Sequence, residues 1–466
     1  MGFPQVGLQE ALVFDVRAYG AVGDGMHDDT AAINNCGTKL AATGGGIRYF
    51  PPGTYYLGSG PIIPLGDVWD LGAGIDVTIL TTNGTLVGGY ASLIRAANTT
   101  PPYPANYKLS DMTVDGSAAT TADAVQLEGV DYLEVARIKV INAYARGITI
   151  GSVGGLSTGP TFIAAPHLHD IQIINSRTDD AIGGGGITDL AMENIWVTNP
   201  GTDGGDITNV TRGQIRNYHV VQSNPGSTYA GLSSDFGWQD VDVDGLYVTG
   251  MGLVGLFQTS TISGASPTKN LSFSGVHGSN IQGSFFRFVG VSGSPIVGVD
   301  LSDIYAEGWN SNDTGSDGVT TTYVNGFRWR GGLVGSPTNG AYGIGLDSNT
   351  EDVLIEGTDL SVIGGAAFRP FTLTGTKIVN CPGFNPVGSA VPGTAFTLPA
   401  SGTAWTNNTG VDGTLWVTGA GTVTDVVLQG VTVGSSLSVG QSYFVPAGGT
   451  ITFTYSVAPT LVFVGN

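Results

Sequence analysis

Charge is scarce in this chain, and basic charge most of all. Only 12% of the 466 residues are Asp, Glu, Lys or Arg, and 17 basic residues face 37 acidic ones, a net charge of −20. A nucleic-acid surface needs clustered Lys and Arg. No such cluster is present, so no nucleic-acid partner is expected. An acidic surface favours solubility, and binding an anionic polymer would require local arginines inside that negative field. Cysteine is nearly absent, with only Cys36 and Cys381, which excludes a disulfide framework. No apolar run approaches the ~20 residues of a membrane span, so no membrane insertion is expected. The start, MGFPQVGLQEALVFDV, has neither a basic n-region nor an apolar h-region. The expectation is a protein made in a cytosol: resident there, released by lysis, or exported with its leader already removed.

Glycine, by contrast, is abundant: 75 residues, without a collagen-like triplet. Many short strands joined by tight turns account for it. The densest polar stretch is GDGMHDDTAAINNC, residues 23–36. Beyond Asp28, Ala32, Cys36 and Leu40 recur at four-residue spacing with Ile33 beside them, which predicts a three-turn helix with one apolar face. Asp28 or Asp29 stands at its N-cap, and Gly44–Gly46 supplies the stop. Asp24 reads as a turn residue and His27 as exposed. VFDVRAYGA, before the helix, reads as a strand. IRYF and TYYL, after it, read as two strands around a Pro-Pro-Gly turn.

FDVRAYGAVGDGMHDDTAAINNC followed by GGIRYFPPGTYYL resembles the N-terminal signature of the pectate-lyase-like superfamily. The resemblance implies a right-handed parallel β-helix whose N-terminal helix caps the first coil. Proteins of this kind include bacterial polysaccharide lyases, glycoside hydrolases and many phage tailspikes.

The rest of the chain carries a repeat of its own. Two apolar residues one apart, followed by Gly, Asn or Gln, recur as MTVDG (112), IKVIN (138), IQIIN (171), IWVTN (195), YHVVQ (218) and LYVTG (246). The series continues with VHGSN (276), IYAEG (304), FRWRG (327), TDLSV (358) and TKIVN (376). The mean step is about 26 residues, within the solenoid range. Fifth positions are Gly, Asn or Gln except at Val362. Gly and Asn tolerate the left-handed backbone region, so each strand should end in a sharp bend, with stacked Asn forming a ladder. Leucine-rich repeats fail on leucine content and on the position of Asn, and helical repeats fail on the glycines. The fold class expected is all-β: a single-stranded parallel β-helix of about eleven coils over residues 47–385. A strand and capping helix at 1–46 precede it, and a small β-sandwich or barrel at 394–466 follows. Cys36 and Cys381, near opposite ends of a shaft roughly 50 Å long, should both be free thiols.

In the last segment short strands are read at AFTLP, TLWVTGAG, VTDVVLQG, QSYFVPAGG, TITFTYS and PTLVFVGN, with Gly-rich turns between them. The ending VPAGGTITFTYSVAPTLVFVGN is similar to C-terminal modules of minor tail proteins from phages of actinobacteria. A module of this kind covers an open edge or holds three chains together.

Aligning coils by the repeat places Arg146, Asp180 and Asp206 in successive coils, eight to eleven residues past the anchor, with Asp179 beside Asp180. Paired carboxylates about 5–5.5 Å apart suit retaining hydrolysis, and about 6.5–9.5 Å suits inversion. An arginine beside a carboxylate also fits a lyase, which must neutralise a uronate. The plain alternative is that RTDDAIGGGG and GTDGGD are turn sequences. SRTDDAIG echoes the paired aspartates of polygalacturonases, but the Gly-His-Gly and Arg-x-Lys motifs do not follow it. His167, His169 and Asp170 lack a third ligand. Pectate-lyase calcium clusters have no residue-by-residue match here, so no metal or other cofactor is assigned; calcium is the ion the resemblance raises. Trp196, Trp238 and Trp309 are candidates for stacking on sugar, while Trp329 points inward. Three functions remain open. The leading one is a homotrimeric phage tail spike or minor tail protein in the virion tail. It would bind host cell-surface polysaccharide, cleave it if the carboxylates are catalytic, and contact other tail proteins. The second is a secreted polysaccharide lyase or glycoside hydrolase, and the third a non-catalytic tail component.

Overall fold

The structure is a computed structural model. It describes residues 12–84, 92–98, 102–120, 123–151, 163–223, 230–252, 254–261, 266–309, 317–335, 342–361, 376–382 and 396–465. Two compact units are present: residues 1–252 with 256–258, and residues 253–255 with 259–466. Each contains right-handed parallel β-helix, and the second also carries an antiparallel β-sandwich.

In the first unit the helix Thr30–Ala41 buries Ile33, Cys36 and Leu40 over the first coil. Its start differs from expectation. Asp29 holds the N-cap position but makes no cap hydrogen bond. Its carboxylate turns back and accepts from the N–H groups of Val22 (2.6 Å) and Gly23 (3.1 Å). Asp28 takes over the first helical N–H, that of Thr30, at 3.1 Å, and also accepts from Gly58 N–H. The local charge therefore splits between closing the preceding loop and starting the helix. Asp24, read as a turn residue, instead opens a bulged strand, Asp24–Asp28, its carboxylate accepting from the N–H groups of Met26 and His27 at 2.8 Å each. VFDVRAYGA is a strand only over Val13–Asp15. The Asp15 carboxylate accepts from Arg17 N–H and starts a 3-10 turn, Val16–Tyr19. Beneath the helix lies a fully buried ion pair, Arg48 on Asp70, at 2.6 Å from both Nε and Nη2. Tyr107 Oη donates to the same carboxylate, and Arg48 also donates to the Ile33 carbonyl. Gly37 makes room, because a Cβ there would sit 2.3 Å from Arg48 Nη1.

The repeat matches the register. Met112 pairs with Ile138, Ile138 with Ile171, Ile171 with Ile195, Ile195 with Tyr218 and Tyr218 with Leu246, all with buried side chains. The residues two positions on, from Val114 to Val248, form a second buried row. This is the period-two alternation of strands turned into a stacked core. Asn142, Asn175 and Asn199 take left-handed φ values of 54°, 60° and 52°. Each donates its amide to the residue one coil before: Asn142 to Ser117 Oγ, Asn175 to Asn142 Oδ1 and Asn199 to Asn175 Oδ1. Gly116 and Gln222 turn the same corner without a positive φ. A second row of left-handed bends interrupts the same strands, one residue before each repeat, at Asp111, Arg137, Asp170, Asn194, Asn217 and Gly245. It too is laddered, with Asn194 donating to Asp170 and Asn217 to Asn194.

In the second unit Val276 pairs with Ile304 as the repeat predicts. The expected alignment then slips. Phe327 pairs with Val299, not Ile304, and Thr376 follows from Phe327 through Val353. Gly331 occupies the bend that Asp303 makes within its strand, not the one at Gly308, since Ser302 faces Arg330 and Tyr305 faces Leu333. Two glycine-tolerant bends five residues apart make the two positions look alike in sequence. Val362 lies outside the described residues.

The C-terminal sandwich has a four-stranded sheet of Ala404–Thr406, Thr450–Val457, Thr422–Leu428 and Val431–Gly434. Its partner sheet is Ser442–Val445, Gly413–Gly419 and Thr460–Gly465. Leu415, Val417, Val426, Val445, Ile451 and Phe453 fill the space between them. Residues 396–399 of AFTLP are not strand. Cys36 and Cys381 are buried free thiols.

Candidate active site

Asp180 and its surroundings are set by the register of four strands in the first unit. Val125–Glu128 pairs with Ile148–Gly151, which pairs with Ile182–Thr198, which pairs with Gly205–Val221. Counting back from these pairs puts Asp123, Arg146, Asp180 and Asp203 in one column, just before each strand. Asp206 is three residues further on, in the column of Gln126, Thr149, Gly183 and Ser233. Arg146, Asp180 and Asp206 thus lie in successive coils as the repeat predicts, but the residue level with Asp180 is Asp203. The anchor count drifted from eight residues at Arg146 to eleven at Asp206, whereas eight past Ile195 is Asp203. Counting from the bend residue finds it too, because Arg146 and Asp203 each lie four past their Asn.

Arg146 Nε lies 3.2 Å from Asp180 Oδ2 and 3.6 Å from Asp179 Oδ2. Asp180 is buried. Its other oxygen accepts from the Thr202 hydroxyl and from Asp203 N–H. Asp179 accepts from Asp180 N–H. Asp123 accepts from Arg146 N–H (3.1 Å) and the Thr149 hydroxyl (2.6 Å). Asp203, also buried, accepts from Ala230 N–H and the Ser233 hydroxyl. Gly183 leaves the space that Arg146 crosses, since a Cβ there would meet Nε at 2.3 Å and Cδ at 2.4 Å.

Asp206 differs from its neighbours. It is half-buried, and its Oδ1 is fully enclosed with no hydrogen-bond partner among the described residues. Burial pushes its carboxyl up to about 8, and the negative charges of Asp180, Asp235 and Asp203 add to the shift. Burial likewise raises Asp203 to about 7, against the Ser233 hydrogen bond. Asp123 and Asp180 are raised by burial, with their hydrogen bonds and Arg146 pulling the other way. The arrangement holds Asp206 protonated near neutrality and Asp203 partly so, beside an Asp180 that accepts from several donors. Divergent environments for paired acids are what acid–base chemistry requires.

Trp238 and Trp309, expected to stack on sugar, are core residues instead. Both are fully buried. Trp238 donates to the Ile207 carbonyl and packs on Phe257, and Trp309 donates to the Gly335 carbonyl and packs on Phe285. Trp329 is buried as expected. Trp196 is 50% exposed. Its ring lies parallel to His219 at 3.7 Å, and His219 to Tyr247 at 4.5 Å, in three successive coils. One face of Trp196 is therefore covered by His219, and the other lies toward Gln172 of the preceding coil. The His167 and His169 rings lie 4.5 Å apart, tilted by 33°, and His169 Nδ1 lies 2.9 Å from Asp170. Among the described residues no group of three His, Cys, Asp or Glu is placed to hold a metal, and no helix is long and apolar enough to cross a membrane.

A family model described as rhamnogalacturonase A/epimerase, pectate lyase-like, matches residues 13–252, just over half of the chain. The chain belongs to this pectate-lyase-like family. The matched residues contain the capping helix and the Asp180 column. Mannuronan C5-epimerase AlgE6 of Azotobacter vinelandii is 33% identical over 120 residues, 24% of this chain and 13% of that protein. The pre-neck appendage protein of Bacillus phage B103 is 31% identical over 198 residues, 40% of this chain and 22% of that protein. The matches thus span less than a quarter of either relative. The A-module of Azotobacter vinelandii mannuronan C-5 epimerase AlgE4 has the same fold, with a TM-score of 0.53 at 16% identity, covering 77% of this chain and 97% of that one.

Proposed function

We propose that this chain binds a cell-surface polysaccharide and hydrolyses it at the Asp180–Asp206 site. The observation that carries the reading is the enclosed, unpartnered Oδ1 of Asp206. An enclosed oxygen without a partner disfavours the ionised carboxylate, so the half-buried Asp206 keeps its proton near neutrality and presents it to a glycosidic oxygen from its other oxygen. In the reaction Asp206 gives its proton to the leaving oxygen as the glycosidic C–O bond breaks, water adds its oxygen to the anomeric carbon, and Asp180 takes the proton that water loses. Asp180, held by Arg146, Thr202 and the Asp203 N–H, supplies the second carboxylate. Asp179 and Arg146 orient it, and the half-exposed ring of Trp196 offers one stacking surface along the same coils.

The setting we infer is a phage tail appendage, supported by the likeness to a pre-neck appendage protein. A trimer is supported by the outer face of the three-stranded sheet. Trp416, Phe444 and Val462 are about half exposed there, while Leu415, Tyr443 and Phe463 fill the inner side. The test is release of new reducing ends from purified surface polysaccharide, with sedimentation to count chains. No release, or a monomer, refutes the corresponding half of the reading.

A further inference from the structure

The relatives' names point toward uronate polymers, and the electrostatics of this site point away from them. A sugar carboxylate needs a free cation where it binds. Arg146 is the cation whose charge reaches Asp206, and it is already engaged by two carboxylates, Asp179 and Asp180. Arg177 is spent on backbone carbonyls of Gly116 and Ala119 and lies 5.3 Å over the Tyr144 ring. Arg137 and Lys139 are paired with Asp111 and Asp76. Meanwhile Asp180, Asp203 and Asp235 all act on Asp206 with negative charge. Arg95 shares the column of Asp206 but stands four coils away and donates to Gln126. Among the described residues a polymer carboxylate entering here would therefore meet carboxylates and no unengaged cation to replace the water it gives up.

We propose that the sugar unit seated between Asp180 and Asp206 is uncharged, and that the site rejects uronates. This rests on the hydrolytic site proposed above. Its groups suit hydroxyls: the Asp180 and Asp203 carboxylates accept, and protonated Asp206 donates. Discrimination comes from leaving a wrong charge unpaired rather than from an extra attractive contact.

The test uses the full chain and a panel of neutral polysaccharides, each matched with its C6-oxidised, carboxylate-bearing form. Binding is read by affinity electrophoresis and cleavage by reducing ends. The expected result is that at least one neutral polymer is bound and cleaved, and that its oxidised form is handled at least tenfold less well. Asp179→Asn, which frees one side of Arg146, should narrow that gap in binding. Preference for the oxidised form, or an unchanged gap in Asp179→Asn, overturns the inference while leaving a polysaccharide site in place. Failure to bind any polymer of either form overturns the proposed function itself, and this inference with it.

Discussion

Arg146 and Asp180 occupy equivalent positions in successive coils, and the Arg146 Nε rests 3.2 Å from the Asp180 carboxylate. The contact depends on a third residue that carries no side chain. Gly183→Ala places a methyl group about where the Arg146 stem runs. The strand should survive, because Gly183 does not need a positive φ, but Arg146 must leave. We expect a tenfold or greater loss of polymer cleavage, of order 1.4 kcal/mol in the barrier, with little change in melting temperature. Unchanged kinetics would show that Arg146 does not orient Asp180.

Asp206 makes stability depend on pH in an unusual direction. Its folded pKa, about 8, lies above the ordinary carboxyl value. The folded state therefore holds a proton that the unfolded state releases between about pH 4 and 8. Across that window the contribution of Asp206 falls as pH rises. Asp206→Asn should stabilise the first unit at pH 9 by on the order of a few kcal/mol and have little effect near pH 4. Thermal melts of both proteins across that range check this. A difference that is constant with pH would mean that Asp206 ionises normally.

The Arg48–Asp70 pair under the capping helix is fully enclosed. Removing one partner strands the other charge. Asp70→Asn should destabilise the first unit by about 3–5 kcal/mol, read as a drop in its denaturant midpoint. The double change Arg48→Met with Asp70→Leu should recover most of that loss, because both charges go together.

Asn175 has φ 60° and links two neighbours of the Asn ladder. Asn175→Gly keeps the backbone conformation and loses the ladder bonds. Asn175→Ala loses both and should be the less stable of the two by about 1 kcal/mol. Equal stability would mean that the bend carries no backbone strain.

The two kinds of tryptophan separate core from surface. Trp238→Ala should cost about 3–5 kcal/mol. Trp196→Ala loses one stacked ring and should cost about 0.5–1.5 kcal/mol while weakening polymer binding. Equal binding in Trp196→Ala would remove its ring from the proposed sugar surface.

Strands and their inward rows were legible because a parallel β-helix writes the same local pattern once per coil. Met112 to Leu246 can be aligned by eye. The slip at Phe327 shows the limit: Gly331 and Gly308 obey the same backbone rule at different corners, so composition alone cannot say which corner is meant. Asp180 and Arg146 were found because both sit close behind a bend. Asp203 was missed for Asp206 because turn lengths vary by a few residues between coils, and a three-residue drift changes the column. The Arg48–Asp70 pair had no local signal. Its partners are 22 residues apart and meet only through the register of Gly46–Phe50 with Val68–Gly72.

The central claim is that Asp206 donates a proton to a glycosidic oxygen. Its most direct test is the rate of new reducing ends formed from a neutral surface polysaccharide, followed from about pH 5 to 10, for the wild type and Asp206→Asn. The account predicts wild-type cleavage that falls as the pH passes about 8, and a variant slower by about 10²–10⁴-fold at neutral pH. Cleavage at the same rate by both proteins, with the same pH profile, would contradict it.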